Sequence, residues 1–175
     1  KKSNFDFRLE TPDRVATAGI HKIGLGVLLG LEDWRTDSFF NALHIDYLQK
    51  NYWKSKYSVS FPRLRPAEGV EKQNFIMSDK DLLQLICAYR IWNEDLEISI
   101  STRENEKFRN NIIPIGVTSM SAASKTNPGG YVVNVESLEQ FEISDERSAN
   151  EISNLIKNAG YEPVWKDWDL AFSSK

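Results

Sequence analysis

Cysteine is almost missing from this chain: Cys87 stands alone among 175 residues. A single thiol excludes an internal disulfide and fits a reducing cytoplasm. Histidine is nearly as scarce, with only His21 and His44, far apart and without a neighbouring Cys or His. That spacing implies no metal site. Long apolar runs are absent too, and none approaches the roughly 20 residues that span a bilayer. The opening Lys1-Lys-Ser-Asn-Phe-Asp-Phe7 has no apolar stretch of the kind that directs secretion. It also lacks an initiator Met, and reads like the middle of a longer chain. Basic charge is not in excess. With 22 Lys and Arg against 25 Asp and Glu, the net charge is -3. The pI near 5.5 argues against nucleic-acid or membrane-surface binding by bulk charge.

What is present is ordinary in bulk: 41% hydrophobic and 27% charged residues describe one soluble globular domain over residues 1–175. Five Trp residues are many for this length. Residues 1–10 form a charged, aromatic lead-in. Thr11-Pro12-Asp13 starts a short helix, with Thr11 as cap and Gly19 closing it. Ile20 to Leu31 reads as a strand and its exit. Asp37 to Tyr52 reads as a helix with Phe40, Leu43, Tyr47 and Leu48 on one face. Tyr57 to Leu64 is a second strand, stopped by Pro62 and Pro66. Ser78-Asp-Lys-Asp81 caps a helix reaching Ile91, with Leu82, Ile86 and Tyr89 on its apolar stripe. Glu97 to Thr102 is a third strand, Glu104 to Asn111 a short helix, and Ile112 to Met120 a fourth strand. Pro128-Gly-Gly-Tyr131 is a turn, and residues 132–143 are irregular and acidic. Ser148-Ala-Asn-Glu151 is a capping box that opens a helix to Gly160, with Ile152, Leu155 and Ile156 inward.

Strand and helix alternate four times, which argues for parallel strands joined by helical crossovers. Each strand runs into a tail bearing Arg, Gly or Ser: Gly24-Leu-Gly-Val-Leu-Leu-Gly-Leu-Glu32, Ser58-Val-Ser-Phe-Pro-Arg-Leu-Arg-Pro-Ala67, Ile98-Ser-Ile-Ser-Thr-Arg-Glu104 and Pro114-Ile-Gly-Val-Thr-Ser-Met-Ser-Ala-Ala-Ser124. Chemistry in parallel β/α barrels sits at such C-terminal strand ends. A dinucleotide fold would need a Gly-rich turn opening directly into a helix, and Gly24-x-Gly26-x-x-x-Gly30 has the wrong spacing. The better reading is α/β, half of a TIM-barrel-like (β/α) barrel over residues 11–131, then an irregular segment, helix and tail over 132–175. Alone, such a half would expose a strand edge and an apolar interior, and would self-associate.

At these strings, and at Arg8-Leu-Glu-Thr-Pro-Asp-Arg14, Gln140-Phe-Glu-Ile-Ser-Asp145 and Pro163-Val-Trp-Lys-Asp-Trp-Asp169, the chain resembles the C-terminal half of the radical S-adenosylmethionine tyrosine lyases of thiazole (thiamine) biosynthesis. It also resembles the biotin and thiamin synthesis associated segment. The resemblance covers essentially the whole chain. It implies the C-terminal half of a radical S-adenosylmethionine (β/α) barrel with four parallel strands and crossover helices. It implies cleavage of L-tyrosine at Cα–Cβ to 2-iminoacetate and p-cresol, with S-adenosylmethionine and a 4Fe-4S cluster as cofactors. The cluster ligands, Cys-x3-Cys-x2-Cys in the family, would lie in an N-terminal half that these 175 residues do not contain. By itself the chain is expected to be inactive. The resemblance further implies a thiazole synthase protein as partner and a cytoplasmic location.

Arg103 ends the third strand, and its planar guanidinium suits a bidentate grip on a carboxylate. The resemblance assigns that grip to the substrate amino acid; the plain reading is a salt bridge to Glu104. Ser121 and Ser124 follow the fourth strand, where a hydroxyl could bind the same carboxylate or the amine, or merely fill the rim. Arg63 and Arg65 flank Leu64; one is expected to face the interior, toward cofactor or substrate, and the other the helix layer. A buried pair with a strand-end carboxylate is the equal alternative for each. Gly26, Leu28, Gly30 and Glu32 resemble the Gly-x-Ile-x-Gly-x-x-Glu element that meets adenine, with Glu32 one place early; a strand bulge is the alternative. Cys87 reads as a small core residue, and Trp165 to Trp168 as an apolar clasp. Lys125 with Pro128 to Tyr131 is a surface loop or a lid. Two other functions stay open: a non-catalytic module that binds a thiazole synthase through its tail and Glu136–Glu146, and a lyase for another aromatic amino acid.

Overall fold

The computed structural model describes residues 4–64, 75–126 and 143–165. Arg65, the Pro128–Tyr131 turn, most of Glu136–Glu146 and Trp168 lie outside these residues. Two short helices lead, α1 (Phe5–Leu9) and α2 (Thr11–Thr17). Then follow β1 (Lys22–Gly26), α3 (Trp34–Asn51), β2 (Lys56–Ser60), α4 (Asp79–Trp92), β3 (Glu97–Ile100), α5 (Glu106–Ile112), β4 (Ser119–Met120) and α6 (Ala149–Asn158). The four strands form one parallel sheet in the order β1-β2-β3-β4. The expected α/β alternation with crossover helices is what the chain forms.

Strand alternation sorts the side chains onto two faces. Ile23, Tyr57, Val59, Ile98 and Ile100 are buried and meet Ile45, Leu48, Leu82, Ile86, Tyr89 and Ile112 of the helices. Each such aliphatic side chain contributes about 1.5–3 kcal/mol when fully buried, so this layer holds the sheet. The Tyr57 hydroxyl donates to the carbonyls of Leu48 and Tyr52, both at 3.1 Å, and closes the C-terminal end of α3.

The opposite face is not the apolar interior expected. Its positions are Gly24 and Gly26 on β1, Ser58 and Ser60 on β2, Ser99 on β3 and Ser119 on β4. Near the strand starts, Lys22 Nζ pairs with Glu97 Oε2 at 2.6 Å, reaching across β2. A face of glycine, serine, the exposed Lys56 and one ion pair leaves volume that bulky branched residues would otherwise fill.

Other departures have local causes. Helix α3 begins at Trp34, one turn earlier than expected, because Asp33 caps it. Its buried stripe is then Trp34, Ser38, Asn41, Ile45 and Leu48, while Phe40, Leu43 and Tyr47 are exposed. The apolar run Ile112-Ile113-Pro114-Ile115 ends a helix and forms a 3-10 turn, leaving β4 only two residues. The first helical residue of α2 is Thr11, after an N-cap at Glu10, and Gly19 follows it at φ +82°. Both capping boxes, at Ser78 and Ser148, form as expected. Cys87 is half-buried, and Trp165 is 67% exposed rather than clasped. No described helix is long and apolar enough to cross a membrane.

Candidate active site at the strand exits

Ligands of parallel α/β sheets bind beyond the carboxyl ends of the strands. Here four exits gather at that end: residues 27–30, 61–64, 101–104 and 121–124. The first two are tied together past the regular sheet. Leu29 donates to the Pro62 carbonyl at 2.9 Å, and Leu64 donates to the Leu29 carbonyl at 2.7 Å. Gly30 sits at φ +117°, and a Cβ there would meet Leu64 Cβ at 3.1 Å, so only glycine turns here without strain. Gly26 is equally constrained: a Cβ would lie 2.6 Å from the Ser60 carbonyl oxygen. Leu28 is half-buried and Glu32 is exposed. The acid with a structural role is the next residue, Asp33, whose carboxylate accepts from the amides of Arg35 (2.9 Å) and Thr36 (3.0 Å). The Thr36 amide is the main reason its pKa is lowered. Asp33 also completes the Gly-x-Ile-x-Gly-x-x-acid spacing that Glu32 missed by one place.

Arg63 faces the helix layer. Residues two apart on a continuous strand share a face, so opposite faces for Arg63 and Arg65 would need a break between them. Its guanidinium donates from Nε (2.9 Å) and Nη2 to Glu104 Oε2, from Nη1 to the Met77 carbonyl (3.0 Å), and from Nη2 to Asp79 Oδ1 (2.7 Å). Burial alone would lower its pKa; the Glu104 and Asp79 carboxylates more than offset that and raise it. Arg63 is therefore the buried partner of a strand-end carboxylate and belongs to the scaffold of the site. Glu104, 1% exposed, draws its acceptor role from this pair.

Arg103 is half-buried on the third exit. Its amide donates to Ser101 Oγ at 3.3 Å, and its Nη1 lies 3.5 Å from the Arg63 carbonyl. Ser121 is exposed on the fourth exit, its amide donating to the Ile100 carbonyl at 3.0 Å. Adjacent parallel strands thus deliver Arg103 and Ser121 to the same end of the sheet. Ser124, three residues on, is half-buried.

Behind these exits is a cluster that sequence reading did not single out. Arg109 of α5 and Asp145 are both 0% exposed and pair through Arg109 Nη1 and Asp145 Oδ2. Arg147 donates to the same carboxylate from Nε (2.9 Å), Nη2 (2.6 Å) and its backbone amide (3.1 Å). Burial pushes the Asp145 pKa up, but the Arg147 hydrogen bonds and the Arg109 charge outweigh it, so the pKa is lowered. The sequence signal for this cluster is the string Gln140 to Asp145, one of those that carry the family resemblance.

Parallel strands with polar exits gathered over a glycine- and serine-lined face define an α/β protein of four parallel strands, with its candidate site at the strand ends. The chain belongs to the Biotin and Thiamin Synthesis associated domain family, whose model matches residues 60–162. It is 51% identical over 170 residues to the 2-iminoacetate synthase of Escherichia coli K12, covering 97% of this chain and 45% of that one. Against the 2-iminoacetate synthase of Salmonella typhimurium the identity is 49%, with the same coverage. The chain therefore spans less than half the length of the curated relatives it matches. A crystal structure of HydG, a maturase of FeFe-hydrogenase, superposes with a TM-score of 0.85 at 38% identity, over 94% of this chain and 36% of that one. The HydG of Carboxydothermus hydrogenoformans gives 0.84 at 35% identity, over 95% and 38%.

Proposed function

We propose that this chain is the substrate-side half of a radical S-adenosylmethionine barrel, and that the intact protein splits L-tyrosine between Cα and Cβ into 2-iminoacetate and p-cresol. One observation carries the reading: Arg103 and Ser121 leave neighbouring parallel strands at the same end of the sheet. Arg103 then clamps the tyrosine carboxylate, and Ser121 takes a hydrogen bond from the ammonium or gives one to the carboxylate. Relatives named 2-iminoacetate synthase, similar along nearly the whole chain, support the lyase reading.

The cofactors fit this chain unequally. Among the described residues no cluster of His, Cys, Asp or Glu could hold a metal ion, and Cys87 sits alone on α4. Three thiolates for an iron–sulfur cluster are not here, so no step is assigned to one. Gly24 and Gly26, by contrast, expose bare backbone on the open face, which fits a flat nucleoside ring lying against β1. When bound, S-adenosylmethionine supplies the radical that abstracts hydrogen from tyrosine. The residues here orient the amino acid and keep its ends from moving.

Arg103→Lys in the intact protein tests the clamp. A lysine keeps the charge and loses the fork, so a charged hydrogen bond worth about 1.5–3 kcal/mol disappears. Tyrosine affinity should fall about 10- to 150-fold. An unchanged affinity would refute the assignment.

A further inference from the structure

The Arg109–Asp145–Arg147 cluster touches both exits of the proposed site, and it does so through backbone. The Thr102 carbonyl, one residue before Arg103, accepts from the amides of Ser144 (3.0 Å) and Asp145 (3.1 Å). Arg109, held on one side by Asp145, donates from Nη2 to the Ser121 carbonyl. The Ala123 amide donates to the Arg147 carbonyl at 3.1 Å. Ala123 is also the one described non-glycine residue at positive φ, at +50°. A left-handed alanine costs roughly 1–2 kcal/mol and persists only where its surroundings hold it. The holding contact here comes from the segment that Asp145 anchors.

We propose that Asp145 is a positioning residue: a single buried carboxylate that sets the relative placement of the β3 and β4 exits, and so the spacing of Arg103 and Ser121. The physical reason is charge. Arg109 is fully buried, and its pKa is lowered chiefly because burial disfavours the cation. Asp145 is what keeps that cation where it can reach the Ser121 carbonyl. Replacing the carboxylate by an amide takes from Arg109 the anion it is hydrogen-bonded to and leaves only the more distant charge of Glu104, already paired with Arg63, so the guanidinium moves toward water. Its hold on Ser121 goes with it. The inference rests on the proposed clamp only for its catalytic consequence; the mechanical link stands by itself.

The test is Asp145→Asn in the intact protein, read by hydrogen exchange and by steady-state kinetics. Peptides covering residues 101–104 and 119–124 should exchange about tenfold faster, while those within α4 stay unchanged. Tyrosine KM should rise about tenfold with a smaller change in kcat. Cleavage of S-adenosylmethionine without tyrosine should stay within about twofold of the parent. In the Arg103→Lys background the added effect on KM should be smaller than in the parent, because both changes act on one contact. If Asp145→Asn does not fold, Arg147→Gln weakens the same carboxylate cluster from its more exposed side and carries the same expectations. Faster exchange confined to residues 143–147, with both exits unchanged, overturns the proposal. Loosened exits with tyrosine KM unaffected by either Asp145→Asn or Arg103→Lys support the link and overturn the clamp instead.

Discussion

Gly26→Ala isolates the closest approach on the open face. An added Cβ would lie 2.6 Å from the Ser60 carbonyl oxygen and 2.8 Å from Ser60 Oγ. Ordinary contact begins at 3.4 Å, so the added atom is about 0.8 Å too close. The hydroxyl can rotate away; the carbonyl belongs to β2 and cannot. Strands β1 and β2 must part, lengthening a ladder of five paired residues. Overpacking of this kind costs about 1–3 kcal/mol, and alanine's smaller entropy loss returns roughly 0.5–1 kcal/mol. A net loss of about 0–2.5 kcal/mol follows, with the upper half expected because the carbonyl cannot yield. Gly24→Ala is the internal control, because its Cβ meets only the mobile Ser58 Oγ, at 3.2 Å. That change should be neutral or slightly stabilising. The assay is urea unfolding of the intact protein, with the midpoint shift converted at constant slope. Adding Ser60→Gly to Gly26→Ala should not restore stability, since the carbonyl remains. If Gly26→Ala is as stable as Gly24→Ala, or if Ser60→Gly rescues it, the steric argument is wrong.

Two further expectations concern buried charge. Asp145 has a lowered folded pKa, so its contribution is fully present above the unfolded value of about 3.9 and fades as pH falls through the lower folded value. Melting temperatures of the parent and Asp145→Asn, measured from pH 6 downward, should therefore converge below about pH 4; a gap that stays constant would remove the carboxylate from the account. Arg63→Met should destabilise by about 3–5 kcal/mol by taking the guanidinium from buried Glu104. Glu104→Gln in that background should recover part of the loss in the same unfolding assay, and no recovery would mean that the ion pair is not the cause.

Local signals were the most legible in the sequence. Ser78 and Ser148 announced their helices because a capping box is complete within four residues. Strands β2 and β3 are also readable, since Lys-Tyr-Ser-Val-Ser and Glu-Ile-Ser-Ile alternate as half-buried strands do. The same alternation places serine and glycine opposite the apolar residues, so the open face is polar even though the apolar half dominates each strand's pattern. Helix α3 misled differently. It carries apolar residues on several sides, so a stripe through Phe40, Leu43 and Tyr47 looked as good as the real one until Asp33 set the starting turn. Among the candidate site residues, Arg103 and Ser121 stand at strand exits because strand order puts them there. Arg63 and Arg103 have similar contexts in sequence; the Glu104 and Asp79 carboxylates that tie Arg63 into the scaffold lie far from it in the chain and leave no local signal beside it. Arg109 and Asp145 could not be paired from sequence at all; buried ions far apart in the chain leave no periodic trace.

The central claim is tested most directly by supplying the intact protein, under anaerobic reducing conditions, with S-adenosylmethionine and isotopically labelled tyrosine, and measuring the aromatic and two-carbon products together. The account predicts p-cresol and glyoxylate, the hydrolysis product of 2-iminoacetate, in equal amounts, both lost in parallel in the Arg103→Lys protein. Cleavage of a different aromatic amino acid with tyrosine left intact would contradict it.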